Sequence, residues 1–276
     1  MPAFVALLTM LWLLLAPAAR AGCSREIYVP VSPLGLMVTV HKGQPGGAFV
    51  EVLQEAGRAT GCRFRFEPMP RARQEMLFLA RRSDLMLPAQ RTDRRDPFGQ
   101  HVAMLQVRPT LVALRPLSTH VINTTTLLHD STLRVAVLRG VDNGPAYREL
   151  LTQLRQRERL VVEADTVGVL RALREGLADA ALMNPVILQG HLLQAEQTDL
   201  RELATHLSAR ALPELDWGTT GFYLALDPLP PSDRQLLAAT LSAPTVRARL
   251  WRQLRERYPG PLLDAGYRPL PESPGP

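Results

Sequence analysis

Hydrophobic positions along the chain switch between two periods. Glu26–Val31 reads as a strand, and Arg63–Glu67 alternates charge with Phe64 and Phe66 as a half-buried strand does. Between them Phe49, Val50, Leu53 and Ala56 recur at helical spacing within 47–60. Pro70 suits a helix's first turn, and Met76, Leu77 and Ala80 give that helix an apolar face. Short apolar runs follow at Leu85-Met86-Leu87, 110–114, 133–138, 160–163, Ala180–Met183 and 221–226. Helical stretches separate the later ones: Gly144-Pro145 opens one, Asp165 caps a second, and Ser232 caps a third. A last amphipathic helix spans 244–258, and the Pro- and Gly-rich tail after Pro259 reads as irregular.

Strand–helix–strand alternation predicts an α/β fold of mostly parallel sheets flanked by helices. One spacing occurs twice: a helix end, an acid and a buried strand, at Arg81-x-x-Asp84 and at Gly176-x-x-Asp179. Two similar modules, or any two αβ connections, would give that pattern.

The N-terminus differs from the rest. Phe4 to Ala16 is almost wholly apolar, Pro17 breaks the run, and Ala19-Arg20-Ala21 follows as an A-x-A cleavage pattern. The run is short for a membrane span, which needs about 20 residues. Residues 1–21 therefore read as a secretory signal, although no Lys or Arg precedes the run; a retained anchor is the competing reading. Export to an oxidising compartment makes Cys23 and Cys62, the two cysteines, a candidate disulfide; a buried free thiol at Cys62 is the alternative. Lipid modification at Cys23 would want a Leu-Ala-Gly-like approach, and Arg20-Ala21-Gly22 stands there.

Composition is ordinary for a globular chain, with 46% hydrophobic and 21% charged residues. The net charge of +6 does not mark a nucleic-acid surface, because the arginines are interleaved with acids, as in Arg171-Ala172-Leu173-Arg174-Glu175. The six histidines form no H-E-x-x-H and no close metal pair. No G-x-S-x-G elbow, C-x-x-C or phosphate-binding glycine loop is present. No metal, cofactor or catalytic residue is expected from these patterns.

Several segments, taken in order, carry a resemblance. They are Gly47-Ala48-Phe49-Val50-Glu51-Val52-Leu53; Gly61-Cys62-Arg63-Phe64-Arg65-Phe66 with Pro70-Arg71-Ala72-Arg73; and Asp84-Leu85-Met86-Leu87-Pro88-Ala89-Gln90-Arg91-Thr92-Asp93-Arg94-Arg95. Leu133 to Gly140 and Gly176-Leu177-Ala178-Asp179-Ala180-Ala181 complete the set. Together they resemble the family 3 bacterial solute-binding proteins, the periplasmic receptors of amino-acid ABC transporters. The resemblance implies a two-lobed periplasmic-binding fold with two crossovers. Residues 24–111 and 216–276 would form lobe 1 and residues 112–215 lobe 2, with a solute in the cleft between them.

The same resemblance names candidate ligand residues. Arg95 matches the arginine whose planar fork holds a ligand carboxylate. Gln90 stands where the family has Ser or Thr, and Ser32 follows the first strand where an aromatic is expected. Arg71 and Arg73 fall near the cleft. Asp142 lies in the turn before a helix N-terminus that suits an anion. Asn184 replaces the usual aspartate that pairs with an α-ammonium, so a buried ammonium would lose about 2–5 kcal/mol of pairing. The implied ligand is thus a small carboxylate or polar solute without a free α-amine. The implied protein is a periplasmic, monomeric, non-enzymatic receptor for an inner-membrane ABC permease. A sensor or accessory binding protein of the same fold is the alternative. A dehydratase-like enzyme, with Glu67 and Asp142 as acid–base candidates, is the third reading.

Overall fold

The computed structural model describes residues 22–117 and 119–271; the signal reading at residues 1–21 lies outside them. Strand β1 (Ile27–Val31) pairs in parallel with β4 (Phe64–Pro68), Ile27 opposite Phe64 and Val31 opposite Pro68. A hairpin of β2 (Thr39–His41) and β3 (Gln44–Gly46) and helix α1 (Ala48–Thr60) connect them. Helix α1 buries Phe49, Val50, Leu53 and Ala56, the face its periodicity predicts. It ends on Gly61 in the left-handed region, where a glycine closes the turn without steric cost. That turn sets Cys62 beside Cys23, and the two form a disulfide with Cα atoms 4.7 Å apart.

Helix α2 (Arg71–Leu79) leads to β5 (Leu85–Gln90), then to a 3-10 turn at Asp96–Phe98 and to β6 (Gly99–Val107). After Arg108 and Pro109 the chain enters a second sheet through β7 (Thr110–Ala113). There follow α3 (Thr124–His129), β8 (Val135–Leu138), α4 (Pro145–Gln156), β9 (Leu160–Glu163), α5 (Thr166–Arg174) and β10 (Ala180–Met183). Helices α6 (Pro185–Leu193) and α7 (Thr198–His206) and strand β11 (Ser208–Ala211) complete this lobe. The chain returns as β12 (Gly218–Ala225), α8 (Pro231–Leu241), α9 (Pro244–Arg257), α10 (Leu262–Gly266) and β13 (Tyr267–Pro269).

One sheet has the order β13-β6-β12-β5 and the other β11-β7-β10-β8-β9. The sheets are more mixed than the alternation implies. β8 pairs in parallel with β9 and β10, but β12 runs antiparallel to both β5 and β6, and β7 antiparallel to β10 and β11. The antiparallel strands are those next to the crossovers, where the chain changes lobe. Strand β7 pairs only within the five-stranded sheet along its length, so the boundary read between residues 111 and 112 falls inside it.

Two other expectations change. The helix at Pro231 has Pro230, not Ser232, at its N-cap. Residues 262–269 of the tail after Pro259 form α10 and β13, because Leu262, Leu263 and Tyr267 are buried and β13 pairs with β6. The repeated acids have a structural role in both modules. Asp84 accepts from the Tyr28 N–H at 2.7 Å and its own N–H donates to the Tyr28 carbonyl. Asp179 does the same with Arg134, the side chain accepting at 2.8 Å. Each acid ties the start of its strand to the neighbouring strand's entry.

Candidate functional site

The ends of β5, β8 and β10 and the start of α2 converge where the lobes meet. Gly140, at φ 82°, lets the loop after β8 lie directly on α2: a Cβ there would stand 2.6 Å from the Ala72 backbone. Polar contacts cross the junction here. Gln90 Nε2 donates to the Asn143 carbonyl at 3.3 Å, Arg95 Nη1 to the Asp142 carbonyl at 3.3 Å, and Arg148 pairs with Asp93 at 2.9 Å.

Between the lobes lies a cavity of about 50 Å³ lined by Arg71, Gln90, Asp142, Asn184, Thr220 and Tyr267, among others. By the yardstick of about 10–15 Å³ per water, it has room for roughly four water-sized groups. A larger groove of about 590 Å³ opens beside it, between the loop holding Ser32 and the turn into α5. Arg71 and Leu138 line both spaces.

The candidates divide on their hydrogen bonds. Arg95 is fully buried but lines neither space. Its Nε and Nη2 donate to Glu75, the latter at 2.7 Å, and its Nη1 donates to the Gln90 and Asp142 carbonyls. Asp142 is also engaged: it accepts from the Gly144 N–H at 2.9 Å and from Arg148 at 2.9 Å. Asn184 caps α6 through the Val186 N–H and donates to the Gly266 carbonyl at 2.8 Å. Ser32 is buried in the wall of the larger groove, not in the cavity.

Arg71 is the exception. Its Nη1 donates to Gln74 Oε1 at 2.8 Å and to the Pro88 carbonyl at 3.0 Å, while its Nε is buried without a partner. Among the described residues no carboxylate forms an ion pair with it. Burial, and then the neighbouring Arg95 charge, push its pKa down to about 10 despite the pull of Glu75. Gln90 Oε1, also in the cavity, is buried without a partner. A buried cation without a counter-charge is costly unless an anion completes it, whereas the Gln90 oxygen is an acceptor and is completed by a donor.

Glu75 was not singled out in the sequence, although it follows Arg71 by one helical turn and so shares its face. Glu67, an acid–base candidate, accepts from the Tyr28 hydroxyl at 2.8 Å and lines neither space. Arg73 lines neither space. Among the described residues no cluster of His, Cys, Asp and Glu is arranged to hold a metal ion.

No protein-family model and no curated protein sequence matches the chain. Solved structures do. The arginine-, lysine-, histidine-binding protein ArtJ from Geobacillus stearothermophilus superposes with a TM-score of 0.67 at 11% identity, over 86% of this chain and 98% of that one. The fold is that of the periplasmic binding proteins. An amino acid ABC transporter substrate-binding protein, AbpA from Streptococcus pneumoniae bound to L-arginine, gives 0.64 at 15% identity over 84% of this chain and 94% of that one. A histidine kinase sensor domain with similarity to periplasmic binding proteins gives 0.66 at 15% identity, over 84% and 96%. Against this periplasmic-binding fold, the two sheets are the two lobes, and the Arg71 cavity and its groove lie in the interlobe cleft.

Proposed function

We propose that this chain is an exported solute-binding protein that holds a small carboxylate-bearing solute in its interlobe cleft and presents it to an ABC-type permease. The observation that carries the reading is Arg71, a buried guanidinium lining the cleft without a carboxylate partner. It is the cation that a solute carboxylate would neutralise, and its planar fork suits that task. This moves the ligand contact from Arg95, whose fork is filled by Glu75, to Arg71, with Gln90 beside it. Asn184, Asp142 and Ser32 shape the cleft walls in this reading. Lobe 1 comprises residues 24–109 and 216–276, and lobe 2 the residues between.

The neighbours that bind amino acids or serve amino-acid transporters support the transport role through their shared fold. Amino-acid specificity does not follow, because Asn184 and the engaged Asp142 leave an α-ammonium without a free carboxylate. The Cys23–Cys62 bridge favours a periplasmic location, where thiols are oxidised. It also disfavours a lipid anchor at Cys23, whose sulfur is already used. A sensory role remains the second reading, favoured by the likeness to a kinase sensor domain. Asp142, the acid–base candidate that lines the cavity, is held by Arg148 and the Gly144 N–H, which favours binding over catalysis.

The test is thermal denaturation of the purified protein with small carboxylates and their uncharged amides. At about 100 times its dissociation constant a ligand adds about 2.7 kcal/mol. That shifts the melting temperature by roughly 5–10 °C for a chain of this size. The shift is expected with carboxylates alone and is lost in Arg71→Gln. Equal shifts in Arg71→Gln and the natural protein would refute the assignment.

A further inference from the structure

The groove beside the cavity has a character of its own. Its walls include Pro33, Val38, Met69, Ala164 and Val167, and one of them, Val167, is 59% exposed in the first turn of α5. An apolar side chain exposed on a concave wall adds to the apolar area that a ligand body can cover. The polar side chains lining the groove are Ser32, Thr39, Asp165, Thr166, His191 and Gln194, with Arg71 on the wall it shares with the cavity. Asp165 sits at the rim and accepts from the Gly168 N–H at 2.8 Å, capping α5. His191 has its pKa lowered by burial and stays neutral near pH 7. Arg71 is therefore the one lasting positive charge among the residues lining cavity and groove, and it lines both.

Resting on the anion site proposed above, we propose that the solute is a monocarboxylic acid with an extended apolar body and no ammonium. Its carboxylate meets Arg71 and the second N–H of Gln90 Nε2, and its body lies in the groove against Val38, Met69 and Val167. The cavity of about 50 Å³ admits little more than a carboxylate, whereas the groove of about 590 Å³ is in the range of a drug-sized ligand. A second carboxylate would find no second cation. An amine would find Asp142 already paired with Arg148 and, along the groove, the single carboxylate of Asp165, whose Oδ1 holds the N-terminus of α5.

The experiment is isothermal titration of the purified protein with butanoate, hexanoate and octanoate, and with 6-aminohexanoate and hexanedioate as charged counterparts of hexanoate. Each is repeated with Arg71→Gln and Val167→Asp. Binding should tighten about threefold to fourfold per methylene, the gain for burying one CH2. Both charged counterparts should bind at least about tenfold more weakly than hexanoate. Val167→Asp, on an exposed wall, should weaken octanoate by about tenfold and butanoate far less. Arg71→Gln should remove all binding. Arg71-dependent binding that does not vary with chain length, or that favours 6-aminohexanoate or hexanedioate, would overturn the apolar-body proposal and leave the anion site standing. No carboxylate binding at all, or binding indifferent to Arg71→Gln, would overturn both.

Discussion

Glu75 occupies the guanidinium fork of Arg95: Oε2 lies 2.7 Å from Nη2 and 3.1 Å from Nε, and both side chains are buried. An internal carboxylate thus takes the bonds that the resemblance reserved for a ligand. Removing one member of a buried pair strands the other, at about 3–5 kcal/mol, while replacing both with apolar residues is often neutral. Glu75→Ala should therefore lower the melting temperature by roughly 10 °C. Arg95→Met with Glu75→Leu should recover most of the loss. Added acetate should raise the melting temperature of Glu75→Ala more than that of the natural protein, by refilling the fork. Thermal melts of the three proteins decide it; a double variant no more stable than Glu75→Ala would deny the pairing.

Much of the fold was legible because its signals are local. The periodicity of α1 and the Asp165 cap of α5 stand as read, the cap accepting from the Gly168 N–H. Asp84 and Asp179 were visible as a repeat, although their bonds to Tyr28 and Arg134 join residues far apart in sequence. Strand β6, the β2–β3 hairpin and β13 were not anticipated. β13 exists because Tyr267 is buried and its backbone meets β6, a contact no local pattern announces. Of the residues that the resemblance named, Arg71, Gln90, Asp142 and Asn184 line one cavity. It did not find which arginine is spoken for, since that turns on Glu75, which shares a helix with Arg71 yet reaches Arg95 twenty residues on. Charge pairing in three dimensions reassigned the two arginines.

His101 gives a pH dependence. Its Nε2 lies 3.2 Å from the Ala89 carbonyl, its ring packs 4.8 Å from that of Tyr223, and burial lowers its pKa to about 4. The unfolded chain has the ordinary value of about 6.5, so between pH 6.5 and 4 it binds more protons than the folded protein does. Stability should be unaffected by this group above pH 6.5 and fall as pH drops toward 4. The loss is about 2 kcal/mol, allowing for the residual exposure of the ring. Urea denaturation at pH 7 and pH 4.5 should show a smaller difference for His101→Gln than for the natural protein. An equal difference would clear His101 of the role.

The Cys23–Cys62 bridge closes a loop with a sequence separation of 39. Chain-entropy reasoning assigns such a closure about 3–4 kcal/mol. Because the bridge pins the approach to β1 against the turn after α1, its loss should loosen the β1–β4 edge first. Cys62→Ser should be destabilised by that amount, and reductant should bring the natural protein to the same midpoint. A reductant effect on Cys62→Ser as large as on the natural protein would assign the change to something other than the bridge.

Trp217 joins the two crossovers. Its ring lies under the Arg108 guanidinium at 4.5 Å and the Arg268 guanidinium at 4.2 Å. Arg108 belongs to the first crossover, Trp217 to the second, and Arg268 to β13, so one ring is stacked between the segments about which the lobes would turn. Arg108 is further tied to α10 through the Ala265 carbonyl at 2.9 Å. Each cation–π contact at a partly exposed site is worth about 0.5–1 kcal/mol. Trp217→Ala should therefore cost about 1–2 kcal/mol, and Trp217→Phe less, because the smaller ring keeps part of the stack. The same geometry makes Trp217 a reporter: lobe motion about the crossovers changes the stacking of its ring on both guanidinium groups. Its emission should shift when a cleft ligand binds, and the shift should vanish in Trp217→Phe while Trp251 remains. Emission that responds to ligand equally in Trp217→Phe would place the moving element elsewhere and leave this stack a fixed brace.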